Sequence, residues 1–128
     1  MHIVVGVVLN KYNQVLITKR SGSGTHPNMW EFPGGKVEDN EDYTVALARE
    51  LQEELGIIVK EYKFLDKFFH HYEDVSYSFI VYLVTGYTGN PICKEKQQDL
   101  IWENINNLSL LEFPAANNQI ISCLLSTT

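Results

Sequence analysis

Residues 35–57 read GKVEDNEDYTVALARELQEELGI and place Gly35, Glu41, Arg49, Glu50, Glu53, Glu54 and Gly56 at spacings that suit one loop and one helix. Seven such fixed positions arise by chance at roughly 10⁻⁹ to 10⁻⁸ per start site, which separates the stretch from a lone glycine-rich loop. At about 100° per residue, Glu50, Glu53 and Glu54 fall within an arc of roughly 100°. Like charges at these spacings repel, and the last two lie near the helix C-terminus, where the macrodipole disfavours anions. No lysine occurs in the helix to relieve them. The arrangement costs stability unless a cation occupies it, and hard carboxylate oxygens suit Mg²⁺ or Mn²⁺. A solvated acidic face is the ordinary reading of such a stripe. The preceding Pro33-Gly34-Gly35 argues against it here, because it allows a tight turn with a carbonyl facing the same cation.

Several elements must hold these groups in place. The helix is expected over residues 42–55, with Asp42 as N-cap and Gly56 as its C-terminal stop. Leu47, Leu51 and Leu55, with Ala48, form the stripe that faces a core. Strands are expected over residues 2–10 and 14–19, joined as a hairpin by the turn 11–13. A short strand over 30–32 runs into the glycine turn, and another begins at 57–59. Two more cover 63–72 and 76–85, the second rich in Tyr, Phe, Ile and Val. The tyrosines of 76–82 read as packing residues. Loops span 21–28 and 86–98, a short strand covers 100–103, and an amphipathic helix with Pro114 in its first turn covers 114–125. This order gives an α+β fold or three-layer sandwich.

A chain of 128 residues suits one domain, 1–128, with a sizeable core. The net charge of −6 argues against general duplex-DNA binding, which needs a basic footprint. It does not argue against a nucleotide, because bound metal reverses the local sign. The apolar run 3–9 is too short to span a bilayer and lacks signal-peptide flanks, so a cytoplasmic protein is expected. Cys93 and Cys123 are too few for a disulfide scaffold and are expected to be reduced. The histidines show no zinc-ligand spacing, and His70 and His71 on one strand point to opposite faces.

The stretch 35–57 resembles the Nudix box, G-x5-E-x7-R-E-U-x-E-E-x-G-U with U aliphatic. Gly35, Glu41, Arg49, Glu50, Leu51, Glu53, Glu54, Gly56 and Ile57 fill every fixed position. ITKR (17–20), WEFPGGK (30–36), KEKQ (94–97) and FPAAN (113–117) are similar, in this order, to the MutT branch of that superfamily. The resemblance implies a Nudix-type α/β/α sandwich with a mixed β-sheet. It also implies a metal-dependent nucleoside triphosphate pyrophosphohydrolase acting on 8-oxo-dGTP or a related purine dNTP. Its products would be the monophosphate and pyrophosphate, a DNA-repair role in sanitising the nucleotide pool. The box does not separate this from a hydrolase of CTP, a modified pyrimidine triphosphate or a dinucleoside polyphosphate. A binding module that reads oxidised guanine without hydrolysis is the alternative from another class.

The resemblance assigns metal ligation chiefly to Glu53 and Glu54, and ligation or water activation to Glu50. It adds the carbonyl of Gly34 and, through KEKQ, Glu95 as a further ligand or base. Lys96 stands where the family usually has glycine, which puts that loop's conformation in question. Arg49 lies roughly a quarter turn from the three acids; it pairs with a box glutamate or meets phosphate. Glu41 supports the loop or the outer metal shell. Arg20 matches a phosphate-contacting position, with a surface arginine as the plain alternative. Phe32 stacks on a purine or fills the core. Asn117 carries an amide that can donate and accept at a guanine edge, or it caps a helix. Mg²⁺ is the expected cofactor, with Mn²⁺ as substitute. The expected partner is a nucleoside triphosphate, with no stable nucleic-acid binding and no membrane; a monomer is expected, with a dimer as the alternative.

Overall fold

Alternating side-chain direction lets β1 (His2–Val8) feed two cores at once. Val4 and Val8 enter one, Val5 and Val7 the other. The computed structural model describes residues 1–126. After β1 come β2 (Gln14–Lys19), β3 (Trp30–Glu31), β4 (Gly34–Lys36) and α1 (Tyr43–Leu55). Then follow β5 (Ile58–Tyr72), β6 (Val75–Thr88), β7 (Asp99–Asn104), a 3₁₀ helix (Ile105–Leu110) and α2 (Ala115–Ser126). A four-stranded mixed sheet runs β4-β1-β6-β5, with β1 and β6 parallel. A three-stranded antiparallel sheet runs β3-β2-β7.

Each core has its own helix. Leu47, Leu51 and Leu55 of α1 pack on Val4, Val8, Ile80 and Val84. Ile120, Ile121 and Leu124 of α2 pack with Ile105 and Leu108 on Val5, Val7 and Val81. The sheet is thus held between helices, as the α+β sandwich with a mixed sheet requires. No helix among the described residues is long and apolar enough to cross a membrane.

Several local expectations are corrected. β1 and β2 are joined by a turn with Asn13 at φ 61°, yet they are not a hairpin. They meet at the single bridge Leu9–Val15 and then part into different sheets. Each finds a partner distant in sequence, β6 for β1 and β7 for β2, and those pairings outweigh the local turn. Gly34 and Gly35 are not a turn but the start of β4, paired with Val5 and Val4. The apolar stripe of α1 uses Ala46, while Ala48 is exposed. Asp42 sits at the N-cap without a side-chain cap hydrogen bond. β5 is one long strand with irregular register between Val59 and Asp66, and β6 extends to Thr88, shortening the expected loop. The 3₁₀ helix over Ile105–Leu110 has no counterpart among the expected elements. Gly56 does end α1, at φ 73°.

Candidate active site

The last two turns of α1 carry the acids. Glu54 turns inward to 8% exposure, and its Oε2 accepts the Gly34 N–H at 2.8 Å. Burial pushes this carboxyl up to about 8; the Gly34 N–H opposes the shift, and Glu31, Glu50 and Glu95 add repulsion. Glu50 lies directly over Gly35, where any Cβ would collide with its carboxylate. Burial also raises Glu50, Arg49 opposes that rise, and Glu53 and Glu95 reinforce it. Glu53 is the most open of the three, with 52% of its side chain exposed.

Arg49 ties the acids together despite its quarter-turn offset. Its Nε and Nη2 donate to the two Glu41 oxygens at 2.7 and 2.9 Å. Its Nη1 donates to Glu50 at 2.9 Å and Glu53 at 3.3 Å, and Nη2 also donates to the Lys36 carbonyl at 3.0 Å. This two-pronged contact holds the Glu41 carboxyl down at about 2 and raises the guanidinium further above its already high range. Glu41 also accepts the Glu38 N–H at 2.9 Å, closing the loop before α1. The helix therefore contains its own counter-cation, an arginine rather than the missing lysine.

Among the described residues, no three His, Cys, Asp or Glu side chains already form a cation cage. The carboxylates instead take other partners: Glu50 and Glu53 the guanidinium, Glu54 the Gly34 N–H. The donor set still fits a hard divalent ion. It is all oxygen, and its most buried member is poorly accommodated as a bare anion.

Glu95 lines a groove with Glu54 and lies near enough to repel both Glu54 and Glu50. The loop carrying it is anchored to the end of α1: Ile92 N–H donates to the Leu55 carbonyl and Lys94 N–H to that of Glu54, both at 3.0 Å. Gln97 Oε1 accepts the Glu95 N–H at 3.0 Å. Lys96, in place of the family's glycine, leaves these anchors intact. Glu54, Lys94, Glu95, Lys96, Arg20 and Glu31 line a groove of about 470 Å³.

Arg20 and Glu31 are shared with a second, more enclosed cavity of about 320 Å³. There Arg20 is ion-paired with Glu31 and donates to Thr25 O at 2.9 Å and Thr25 Oγ1 at 3.0 Å. Phe32 is 4% exposed and stacks on Phe113 at 5.7 Å, so packing uses most of its ring, and its remaining edge lines the cavity. Asn117 lines the same cavity from the first turn of α2. Tyr82 packs in a core, whereas Tyr77 lines the cavity. Glu31, Tyr72, Tyr77 and His26 also line this cavity, and the last three carry no motif in the sequence. Glu31 sits between Trp30 and Phe32 and lines the same cavity as Phe32, with no local signal of its own. Cys93 and Cys123 are unpaired, with thiols raised by burial, and lie outside both cavities.

The NUDIX domain family matches residues 1–122, and the chain belongs to that family. It is 35% identical to the 8-oxo-dGTP diphosphatase of Escherichia coli over 124 residues, covering 97% of this chain and 95% of that one. It is 34% identical to the enzyme of the same name from Haemophilus influenzae, covering 100% and 93%. A solved MutT structure, from work on the Aliivibrio salmonicida and Vibrio cholerae proteins, superposes with a TM-score of 0.85 at 37% identity over 99% and 98% of the two chains. The protein is a Nudix hydrolase of the pyrophosphohydrolase kind, and such enzymes need divalent metal ions.

Proposed function

We propose that the chain hydrolyses 8-oxo-dGTP, or a closely related purine deoxynucleoside triphosphate, to the monophosphate and pyrophosphate. Its end-to-end likeness to enzymes of that name supports the substrate. The observation that carries the reading is the junction, through shared Arg20 and Glu31, of a groove lined by both acids (Glu54, Glu95) and bases (Lys94, Lys96) with a cavity of nucleobase scale. A polyphosphate would lie in the groove while its base enters the cavity.

Glu50, Glu53 and Glu54, the Gly34 carbonyl and Glu95 hold the cations in this reading, with Mg²⁺ as the natural ion and Mn²⁺ as a substitute. Bound cations supply charge neutralisation at the phosphates and a more acidic water. Glu50 takes the proton of the attacking water, a role that its carboxylate's placement over Gly35, held by Arg49, supports. Arg49 keeps Glu50 and Glu53 oriented while Glu41 anchors Arg49. Arg20 meets the α- or β-phosphate, Phe32 backs the base, and the Asn117 amide reads its edge. One chain carries every group named, so a monomer suffices. Two unpaired cysteines fit a cytoplasmic setting.

Hydrolysis in ¹⁸O-water tests the reaction. Attack at the β-phosphorus puts the label in pyrophosphate, and label in the monophosphate alone would refute it. A comparison of kcat/KM across purine and pyrimidine triphosphates tests the base. We expect Asn117→Ala to reduce purine preference by about tenfold, and an unchanged preference would remove Asn117 from the reading.

A further inference from the structure

The first turn of α2 is capped from far away. Pro114 and Ala115 offer no side-chain acceptor, yet the leading N–H groups of a helix need acceptors from outside it. The Asn117 N–H donates to the Pro114 carbonyl at 2.9 Å. The Ala116 N–H donates to Tyr72 Oη at 2.8 Å, across 44 residues of sequence. Tyr72 ends β5 at the tip of the β5–β6 hairpin, paired with Val75. One phenol hydroxyl therefore joins that tip to the turn that carries Asn117.

The Asn117 side chain is weakly tethered on its own account. Its Oδ1 accepts the Phe32 N–H at 3.4 Å and its Nδ2 donates to the Pro114 carbonyl at 3.5 Å, both at the long limit for such bonds. The aim of the amide thus depends on where the backbone of the turn is held. The Tyr72 ring is well fixed, with His70 at 4.4 Å, His26 at 5.4 Å and Tyr77 at 6.1 Å between centroids. Tyr72 also lines the cavity that Asn117 lines.

We propose that Tyr72 is a positioning residue for base selection: its hydroxyl fixes the first turn of α2 and so aims the Asn117 amide at the base. This rests on Asn117 reading the base, as set out above. Tyr72 acts through Asn117 and takes no part in the hydrolytic step, so its loss should appear in KM and selectivity rather than in kcat.

Tyr72→Phe keeps the ring and removes only the acceptor for Ala116. Loss of one neutral hydrogen bond corresponds to roughly a five- to tenfold change in binding. We expect KM for the preferred triphosphate, and the purine-to-pyrimidine ratio of kcat/KM, to worsen by about that factor while kcat moves less than about twofold. The Ala116 amide should also exchange with deuterium faster than in wild type. If Asn117→Ala abolishes the wild-type preference and Tyr72→Phe leaves both KM and preference intact, the inference is overturned while the substrate reading stands, whatever happens to Tm. If the wild type shows no base preference, the substrate reading falls first and this inference with it.

Discussion

At Glu54 two requirements conflict: the side chain is 8% exposed, yet in the proposed reading it ends the row of acids that would hold the cations. With its carboxyl near 8, against an ordinary value of 4.5, the metal-free folded chain keeps a proton that the unfolded chain has released. Between those two values stability therefore falls as pH rises, and it is greatest below the lower one. Glu50 shifts in the same direction; Glu41, lowered to about 2, acts oppositely and only below 4.5. We expect the Tm of chelator-treated protein to drop between about pH 5 and about pH 8, and Glu54→Gln to remove most of the drop. Mg²⁺ should raise Tm more at the higher pH, because it binds the ionised form. A flat chelated Tm, or a drop that persists in Glu54→Gln, would contradict this account of the site. The acids and Arg49 were legible in the sequence because helix spacing fixes their directions. The reach of Arg49 to Glu41, Glu50, Glu53 and Lys36 was not, since a long flexible side chain departs from its Cβ direction. Tyr72 was invisible for a different reason: its partner is a backbone N–H 44 residues away.

The element that sets the groove's geometry is β4, because it fixes Gly34 against both β1 and Glu54. A Cβ on Gly34 would stand 2.9 Å from Val5 Cα and would collide with the Val4 carbonyl, which is backbone and cannot swing aside. Gly34→Ala should therefore separate β4 from β1 and cost about 2–4 kcal/mol, read as a lower urea midpoint. Gly22→Ala is the control, since a Cβ there meets only the Asn28 side chain at 3.5 Å. An unchanged midpoint in Gly34→Ala would show that β4 is not clamped as described. Sequence alone found glycine here but not its use: two adjacent glycines indicate a turn, and only the close approach of β1 reveals that space rather than curvature is required. The helix was easier, because the leucine stripe and Gly56 are both local signals. Gln14–Lys19 likewise reads as a strand from its own residues, but its partner is β7 rather than β1. Pairing between distant strands leaves little trace in a single sequence.

At the scale of the molecule, the two sheets and two helices bring together groups from five separated stretches. Arg20 and Glu31 come from the three-stranded sheet and its edge, the acids from α1, Glu95 from the loop before β7, and Asn117 from α2. The architecture follows from alternating apolar residues, but the meeting of groove and cavity appears only when those stretches are assembled. The account depends on divalent cations being held by the α1 carboxylates beside that junction. Electron paramagnetic resonance of free Mn²⁺, titrated with protein, measures this most directly. Wild type should bind Mn²⁺, Glu53→Gln and Glu54→Gln should each bind at least about tenfold more weakly, and Glu112→Gln on the exposed surface should match wild type. Equal Mn²⁺ affinity in all four proteins would contradict the account.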